Sequence, residues 1–408
     1  MMDDGFIRKK TRAISEHMQN PVAHRDGNQL GVQVGIHKNE HAPRAPEGKL
    51  NILITGGCGF IGSHLFKSLH DEGHSVVAYD NFNNHLYSSY LKDERVRHFK
   101  IPFYDRDLRS DLLLNAVIWQ DMEKIMGANP VDGNEVPNRN KKFVIVNGNK
   151  VQVETPYWDF VIHLGAHAGV RDSFGKEDEY HSNNIDGTQN LIRQIKNYSP
   201  ETKVIYASTS SVYGGTPITE EGWKEDFVQA HQLNAYAYTK YINECQFKIS
   251  GIKNVGLRFF TVYGPWGRPD MALFQFTKNI LDKKPIDVYN YGNMKRDFTF
   301  IDDIVDGIKV VMNKFHADEI ESGEIFNIGR GEQVQLMDFI TAIENETGIQ
   351  ADKNLCEKHP ADTEETWSNC DKLMSLGWKP KVSIDEGVKR FYQWYKEFTA
   401  NPEHKKLV

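Results

Sequence analysis

The chain alternates short apolar runs with segments of helical periodicity. Leu50–Thr55 is an apolar run with two isoleucines, typical of a buried strand, and a helical pattern runs from Phe60 to His70. A second apolar run, Ser75–Tyr79, ends at Asp80. Strands that alternate with helices in this way predict a parallel, doubly wound sheet of the α/β class.

The same alternation continues through the middle of the chain. It predicts strands at Arg95–Lys100, Phe160–Leu164, Lys203–Ala207 and Val255–Arg258, and helices at Glu177–Asn197, Asn234–Ile249 and Ile384–Phe398. Beyond about residue 260 the elements become shorter and the loops richer in Gly, Pro and Arg. We therefore expect a doubly wound domain at 49–260 and a smaller C-terminal α/β lobe at 261–408.

Two segments do not follow this alternation. Residues 1–48 are polar and end in the proline-bearing APRAPEG, which predicts a flexible N-terminal extension. Residues 119–158 interrupt the α/β pattern and are predicted to form a surface insertion without a catalytic role. Within the insertion, two β-prone runs flank Asn147-Gly148, a dipeptide that favours a tight hairpin turn.

Composition narrows the class of protein. The 408 residues carry a net charge of −7, which disfavours nucleic-acid binding, and no apolar run reaches the length of a membrane span. The N-terminus lacks the apolar core of a secretory signal. Four widely spaced cysteines fit neither a disulfide framework nor a zinc site, so we expect a reducing, cytoplasmic setting.

A glycine-rich turn joins the first predicted strand to the first helix. Its sequence, T-G-G-x-G-x-x-G, begins at Thr55 and includes Gly56, Gly59 and Gly62. Backbone N–H groups at such a helix start favour an anion, and a dinucleotide pyrophosphate is the usual ligand. A bare structural turn is the alternative, but the context of strand, turn and helix predicts a Rossmann-type cofactor site.

The second strand ends in a carboxylate that bears on the choice of cofactor. Asp80 lies 18 residues after Gly62, where a carboxylate accepts hydrogen bonds from the adenosine ribose hydroxyls. The same charge would repel a 2′-phosphate, which predicts NAD rather than NADP. Asp107 and Leu108 follow shortly after and are candidates to flank the adenine.

A second candidate site lies on the helix predicted at Asn234–Ile249. Tyr236 and Lys240 are four residues apart and therefore share one helix face. An ammonium group beside a phenol lowers its pKa, so Tyr236 is predicted to accept a proton from a sugar hydroxyl. Thr209, in a Ser/Thr cluster at a strand end, would share that hydrogen bond, and Lys240 would also hold the nicotinamide ribose.

These motifs together resemble the extended short-chain dehydrogenase/reductase family. They are TGGCGFIGSH, Asp80-Asn81, STSSVYG at Ser208–Gly214, the Tyr236/Lys240 pair and RDFTFIDDI at Arg296–Ile304. More narrowly, AHAGVRDS at Ala166–Ser173 and RFFTVYGPWGRPDMA at Arg258–Ala272 are similar to UDP-glucuronate 4-epimerases. The resemblance covers about residues 49–398, apart from the insertion.

The resemblance implies an activity and the residues that carry it out. A UDP-glucuronate 4-epimerase oxidises C4 of the sugar with NAD, turns the 4-keto sugar over and reduces its other face. The implied NAD contacts, besides the three glycines, Tyr236 and Lys240, are Phe60, Ile61, Asp80, Asn81, Asn84, Asp107, Leu108, Leu164 and Ala166. The implied substrate contacts are Arg171, Asn184, Ser210, Ser211, Thr261, Arg268, Arg296 and Asp362.

The resemblance also implies how a uronate is protected and how subunits pair. A 4-keto uronate is a β-keto acid that loses CO₂ easily, so Ser210, Ser211 and Arg268 are expected to hold its carboxylate. The helices at 177–197 and 234–249 correspond to those that pair relatives into homodimers. His163 and His167 have no third ligand nearby in the sequence, so we expect no metal.

Other functions stay open from the sequence. A UDP-glucuronate decarboxylase, a 4-epimerase of a neutral UDP-hexose and a non-enzymatic NAD-sensing scaffold are the alternatives. Thr209-Ser210-Ser211 lacks the acidic pair of 4,6-dehydratases, which disfavours dehydration. Departures from the family pattern at Gly165, His167, Tyr238 and the 222–234 segment bear on the identity of the substrate.

Overall fold

The computed structural model describes residues 45–46, 48–110, 141–146, 149–154, 158–228, 231–359 and 362–405. The strands in these ranges are β1 Asn51–Thr55, β2 Ser75–Asp80, β3 Phe103–Asp105, β4 Lys141–Val146, β5 Asn149–Glu154, β6 Phe160–His163, β7 Lys203–Thr209, β8 Asn254–Phe259, β9 Thr261–Tyr263, β10 Ile286–Tyr289, β11 Lys295–Arg296, β12 Phe298–Phe300, β13 Glu324–Ile328, β14 Val334–Gln335 and β15 Lys353–Cys356.

Seven strands form one parallel sheet in the order β13-β8-β7-β6-β1-β2-β3. β1 lies at the centre, with Ile52 opposite Val76 of β2 and Phe160 of β6. Ile52 and Leu53 are fully buried in separate apolar clusters, because successive side chains of a strand point to opposite faces. The sheet is thus covered on both faces, which confirms the predicted doubly wound α/β fold.

The α-helices are α1 Phe60–Asp71, α2 Tyr90–Phe99, α3 Glu177–Tyr180, α4 Gly187–Tyr198, α5 Ala235–Ser250, α6 Ala272–Leu281, α7 Ile301–His316, α8 Leu336–Thr347, α9 Asp371–Met374, α10 Ile384–Thr399 and α11 Pro402–Lys405. The long helix predicted at 177–197 is wrong in detail, because a π-helical segment, His181–Asp186, separates α3 from α4. The predictions for α1, α5 and α10 are confirmed within a few residues.

The strand predicted at Arg95–Lys100 is wrong. This stretch is the second half of α2, which Lys100 ends in a left-handed conformation at φ 54°, and the third strand of the sheet is Phe103–Asp105 instead. Leu91, Arg95 and Val96 face inward at helical spacing. The buried arginine hides this pattern, because a charged residue in a sequence is normally read as exposed.

The inserted segment contains the predicted hairpin. β4 pairs antiparallel with β5, and Val146 lies opposite Asn149, whereas the turn predicted at 147–148 lies outside the described residues. Residues 119–140 of the predicted insertion and 1–44 of the predicted extension lie outside the described residues. After residue 260, β9 pairs with β12, β10 with β15 and β11 with β14, whereas β13 joins the main sheet beside β8.

No helix among the described residues is both long enough and apolar enough to span a bilayer.

Candidate active site

The glycine turn lies at the carboxyl edge of the parallel sheet, against the loop that follows β6. Gly56 has φ +68°, and a Cβ atom there would lie 2.8 Å from the backbone nitrogen of Gly165. A Cβ at Gly62, in the first turn of α1, would lie 2.4 Å from the carbonyl oxygen of Gly56. Only glycine permits this close packing of turn, helix and neighbouring loop.

The residues of this turn fit a dinucleotide. Helix α1 is 12 residues long, and its N-cap is Gly59, which has no side chain to bond the first N–H groups. Apart from its chain neighbours, the part of the protein that the structure describes offers a Cβ at Gly59 only the carbonyl oxygen of Gly56 within 4 Å, so the cradle is otherwise open there. N–H groups at the positive end of a helix can therefore bind a pyrophosphate there.

Asp80 is held at the end of β2 beside the turn. One carboxylate oxygen accepts hydrogen bonds from the Phe82 backbone N–H at 2.9 Å and from the Lys92 ammonium at 3.0 Å. The other accepts a hydrogen bond from the Cys58 backbone N–H at 3.2 Å. The carboxylate is thus fixed next to the first residues of α1, and Lys92 balances its charge.

Asp107 and Asn81 lie together beyond β2. Asn81 donates a hydrogen bond to Asp107 at 3.2 Å, and Arg109 forms an ion pair with Asp107 at 2.7 Å. Burial acts to raise the pKa of Asp107, but hydrogen bonds from Arg109 and Asn81 outweigh this effect and lower the pKa to about 2. Asn84 is exposed, and Leu108 is partly buried. Their contacts with NAD stay predictions.

The predicted catalytic residues lie together where β7 ends and α5 begins. Thr209 is the last residue of β7, and its hydroxyl lies close enough to the Tyr236 phenol to lower the pKa of that phenol. Asn234 caps α5 by accepting a hydrogen bond from the Ala237 backbone N–H at 2.8 Å, which fixes the helical turn that carries Tyr236. Lys240 lies one turn further along α5 and is buried.

The structure adds to the predicted electrostatics of Tyr236. Burial raises the pKa of its phenol, while the hydrogen bond from Thr209 and the charge of Arg268 lower it. Arg268 is thus one cation that lowers the pKa of the phenol, and the effect expected of Lys240 stays a prediction. Burial lowers the pKa of Lys240 to about 8, although the nearby carboxylate of Glu244 raises it.

Ser210 and Ser211 directly follow Thr209 in the chain, and Arg268 lies near the Tyr236 phenol. Ser210–Tyr213 forms a 3-10 turn directly after β7, and the Ser211 backbone N–H donates to the Thr209 hydroxyl at 3.2 Å. The Arg268 guanidinium forms two hydrogen bonds with Asp270, at 3.0 and 2.6 Å. Burial acts to lower the pKa of Arg268, but Asp270 and the phenols of Tyr87 and Tyr236 raise it overall.

Three predicted substrate residues form a second cluster. Arg171 makes a bidentate ion pair with Asp362, at 3.2 and 2.6 Å, and its guanidinium lies 3.9 Å from the centre of the Tyr289 ring. Burial lowers the pKa of the Arg296 guanidinium. The charge of Asp362 acts to raise this pKa and that of Arg171 to lower it, so the three charged groups lie close together. Two arginines around one carboxylate leave a net positive charge that suits a diphosphate.

The remaining predicted residues line the loops between these clusters. Asn184 is buried and braces the loop after β6, because it accepts a hydrogen bond from the His167 backbone N–H at 2.7 Å and donates to the His167 carbonyl at 3.0 Å. Leu164 and Ala166 of that loop are partly exposed, as is Thr261 at the start of β9. The ligand contacts of these four residues stay predictions.

Of the two histidines singled out in the sequence, only His167 differs from its prediction. His163 is buried and bonds Thr55 at 2.7 Å and Thr188 at 3.0 Å, which confirms a structural role. The expectation that His167 has no third ligand nearby is wrong, since donor atoms of His85, His167 and Glu179 lie within 4.8 Å of one another.

The two imidazole rings of this group do not converge on one point. They stack with centres 4.0 Å apart and planes at 17°, so their in-plane lone pairs run nearly parallel. Asp172 also engages Nε2 of His85 at 2.8 Å. The arrangement as it stands is an aromatic stack held by a carboxylate.

Sequence reasoning missed Tyr180, Lys92, Asp270 and Tyr289. The ring of Tyr180 lies edge-on to Tyr236, with centres 6.3 Å apart, and its hydroxyl bonds the carbonyl of Ala168 at 2.8 Å. Asp270 is two residues from Arg268 in the GRPD motif and could have been proposed as its partner. Tyr289 lies far from Arg171 in the sequence, and no local signal connects them.

A glycine turn at the carboxyl edge of a parallel sheet, with a Thr-Tyr-Lys set beside it, defines a dinucleotide-dependent α/β enzyme. Comparison with known families gives the same class. Residues 52–126 and 149–329 match the NAD dependent epimerase/dehydratase family. The chain belongs to this family, which confirms the predicted family and its dependence on NAD.

Individual relatives cover most of the chain. Protein CapI of Staphylococcus aureus is 37% identical in an alignment of 367 positions that covers 86% of this chain and 99% of CapI. UDP-glucuronate 4-epimerase 4 of Arabidopsis thaliana is 33% identical, over 85% of this chain and 75% of that protein. A crystal structure of UDP-glucuronic acid 4-epimerase from Bacillus cereus, with UDP-glucuronic acid and NAD, has a TM-score of 0.69 and 31% identity, over 85% of this chain and 99% of that one.

Proposed function

We propose that the chain is an NAD-dependent isomerase that inverts C4 of UDP-glucuronate to give UDP-galacturonate through a transient 4-keto sugar. The observation that carries the proposal is the placement of Thr209 and Arg268 beside the Tyr236 phenol, where β7 ends at the carboxyl edge of the sheet. The similarity to enzymes that bind UDP-glucuronate supports this choice of substrate. We further infer that residues 49–260 bind NAD and 261–408 mainly the UDP-sugar.

Tyr236 is the proposed general base and acid. The phenolate accepts the proton of the 4-hydroxyl through Thr209 and returns it after the ring has turned. Lys240, next to it on the same helix face, holds the ribose of the cofactor. Bound NAD supplies the acceptor and then the donor of the hydride at C4. Because the hydride returns to the same sugar, no external reductant is consumed.

Ser210, Ser211 and Arg268 are proposed to hold the carboxylate. The 4-keto intermediate decarboxylates when its C5–C6 bond lies perpendicular to the carbonyl plane. The guanidinium of Arg268 and the two serine hydroxyls can prevent that orientation, because hydrogen bonds to both carboxylate oxygens fix the direction of the carboxylate. Arg268 is itself oriented by Asp270, and it faces the phenol of Tyr236. One cation can thus serve both the carboxylate and the general base.

Arg171, Arg296 and Asp362 are proposed to bind the nucleotide diphosphate. Asp362 holds the Arg171 guanidinium, while the Arg296 side chain donates to the carbonyl oxygens of Lys295 at 2.9 Å and Glu364 at 3.0 Å. Both cations are therefore oriented before a ligand binds, which reduces the entropy lost on binding.

A product assay tests this function. Purified protein is incubated with UDP-glucuronate, UDP-glucose and UDP-N-acetylglucosamine, and the products are resolved by NMR. We expect UDP-galacturonate from UDP-glucuronate and little turnover of the neutral sugars. UDP-xylose or a 4-keto pentose as the only product would identify a decarboxylase instead. Tyr236→Phe should nearly abolish turnover, and full activity of that variant would refute the assigned base.

We also propose that the chain forms a homodimer through α4 and α5. Tyr238, Ile242, Cys245 and Ile249 follow heptad-like spacing along α5. Tyr238 is 47% and Ile249 84% exposed, so this stripe is apolar yet uncovered. Light scattering should give the mass of a dimer, and Ile249→Glu should give a monomer. Lys248→Glu, on the same exposed turn, is the matched control.

A cytoplasmic location is proposed on the state of the cysteines. All four lie among the described residues and form no disulfide with one another. Free thiols are typical of reducing compartments.

A further inference from the structure

Arg95 is a buried guanidinium whose partners are backbone carbonyls and a phenol. Its exposure is 0%, and its Nε and Nη2 atoms donate to the carbonyl oxygen of Trp266 at 3.2 and 2.7 Å. Longer contacts of 3.5 Å reach the carbonyls of Gly267 and Cys58, and the Tyr87 hydroxyl lies at 3.0 Å. Among the described residues, no carboxylate forms an ion pair with Arg95.

These carbonyls belong to two separate loops of the active site. Cys58 lies in the glycine turn proposed to bind NAD, and Trp266-Gly267 directly precede Arg268. A buried cation without a carboxylate is costly unless its hydrogen bonds are all satisfied, so Arg95 requires both loops to stay in place. Arg95 therefore ties the cofactor turn to the loop that carries Arg268.

The conformation of Trp266 needs such support. Its φ is +59°, a left-handed conformation that is unfavourable for a bulky side chain and persists only where its surroundings impose it. The indole packs on Trp394 and Phe398 of α10, with ring centres 5.4 and 5.1 Å apart. Arg95 holds the backbone of the same residue, so the loop is fixed from both sides.

Tyr87 connects this anchor to the site itself. Its hydroxyl is bonded to Arg95, and its phenol lies close enough to Arg268 to affect the pKa of that guanidinium. Arg268 in turn is fixed to Asp270 at 2.6 Å. The position of the Arg268 guanidinium thus depends on a chain of contacts that begins at Arg95.

We infer that Arg95 is a positioning residue. It fixes the position of the Arg268 guanidinium, which holds the carboxylate of the substrate, and so suppresses loss of CO₂ from the 4-keto intermediate. The inference rests on the proposed function. When Arg268 no longer holds the carboxylate in place, the C5–C6 bond can turn perpendicular to the plane of the C4 carbonyl and break. Its electron pair forms the C4–C5 enolate, a proton adds to C5, and CO₂ leaves. The product is a UDP-4-keto-pentose, and the two electrons taken from C4 stay on the cofactor.

The test is the partition of product in the full-length holoenzyme. Arg95→Met should raise the ratio of UDP-4-keto-pentose to UDP-galacturonate by about 10- to 100-fold, since a small misplacement of one positioning group has effects of this order. Arg95→Lys, which restores only part of the carbonyl contacts, should fall in between. The ratio is the deciding readout because general destabilisation lowers both products together.

Arg97→Met is the matched control. Arg97 lies two residues away on α2, where its partly exposed side chain pairs with Glu94, and its substitution should leave the ratio unchanged. Arg95→Met with Arg268→Met should equal Arg268→Met alone, because the first acts through the second. A folded, NAD-loaded Arg95→Met enzyme with the wild-type ratio would overturn the inference. If Arg95→Met does not fold, Tyr87→Phe removes a single contact and should shift the ratio in the same direction.

Hydrogen exchange separates this inference from the proposed function. Arg95→Met should weaken amide protection at residues 266–270 relative to wild type and to Arg97→Met, whatever the substrate. If wild type does not turn over UDP-glucuronate, the proposed function fails, whereas unchanged protection at 266–270 refutes the positioning role of Arg95 on its own.

Discussion

Arg171 and Asp362 form a bidentate ion pair across 191 residues of chain, with donor–acceptor distances of 3.2 and 2.6 Å. Each was predicted as a separate substrate contact. Their pairing means that Arg171 is already oriented by a carboxylate and by the ring of Tyr289, at 3.9 Å, and a diphosphate bound as we propose would meet it in that position. Arg296 lies within the same electrostatic field.

The first prediction concerns the diphosphate. Arg171→Met should raise KM for the UDP-sugar by about 10-fold with little change in kcat, because a contact remote from C4 stabilises ground state and transition state alike. Steady-state kinetics measures both constants. Arg390→Met, which removes an exposed ion pair with Asp302 and Glu386, is the control. A fall in kcat at unchanged KM would place Arg171 at the reacting centre instead.

The second prediction concerns the choice of cofactor. Lys92 lies 3.0 Å from Asp80, so removing the carboxylate leaves an ammonium near the adenosine ribose. Asp80→Asn should therefore raise the affinity for NADP relative to NAD by about 10-fold or more. Fluorescence titration of the reduced cofactors gives the ratio. Adding Lys92→Met should reverse the gain, and a ratio that survives the second substitution would contradict this explanation.

The third prediction concerns the acidic limb of the pH–rate profile. Tyr236 must be a phenolate to accept the 4-hydroxyl proton, so activity rises with pH through its pKa. Thr209 lowers that pKa, which burial has raised. Thr209→Val should thus move the acidic limb of kcat/KM to higher pH, whereas Thr209→Ser keeps the hydroxyl and the wild-type limb. A limb that stays in place in Thr209→Val would mean that another group titrates there.

The fourth prediction concerns Lys240, whose pKa burial lowers to about 8. If its ammonium is required, activity should fall as pH rises above about 8. Between about pH 8 and the normal lysine pKa, the unfolded state binds more protons than the native state. Lys240 therefore contributes a rise in unfolding free energy with pH in that window and costs stability below it. Urea unfolding at pH 8 and at pH 10 gives the unfolding free energy at each pH, and comparison of wild type with Lys240→Met gives the contribution of Lys240.

Local pattern determined the parts of this protein that depend on neighbours in sequence. The apolar run at Leu50–Thr55, the glycines after it and the four-residue spacing of Tyr236 and Lys240 suffice to predict the first strand of the sheet, the glycine turn and the helix that carries the proposed base. Periodicity and turn chemistry are local properties, and each can be recognised within about a dozen residues.

Tertiary structure alone decided which charges meet. The sequence does not show that Arg95 belongs to a helix and bonds the carbonyl of Trp266, or that His85 stacks on His167. Nor does it show that Arg268 lies close enough to the Tyr236 phenol to lower its pKa. Electrostatic energies depend on distance and burial, and both are set by segments that lie far apart in the chain.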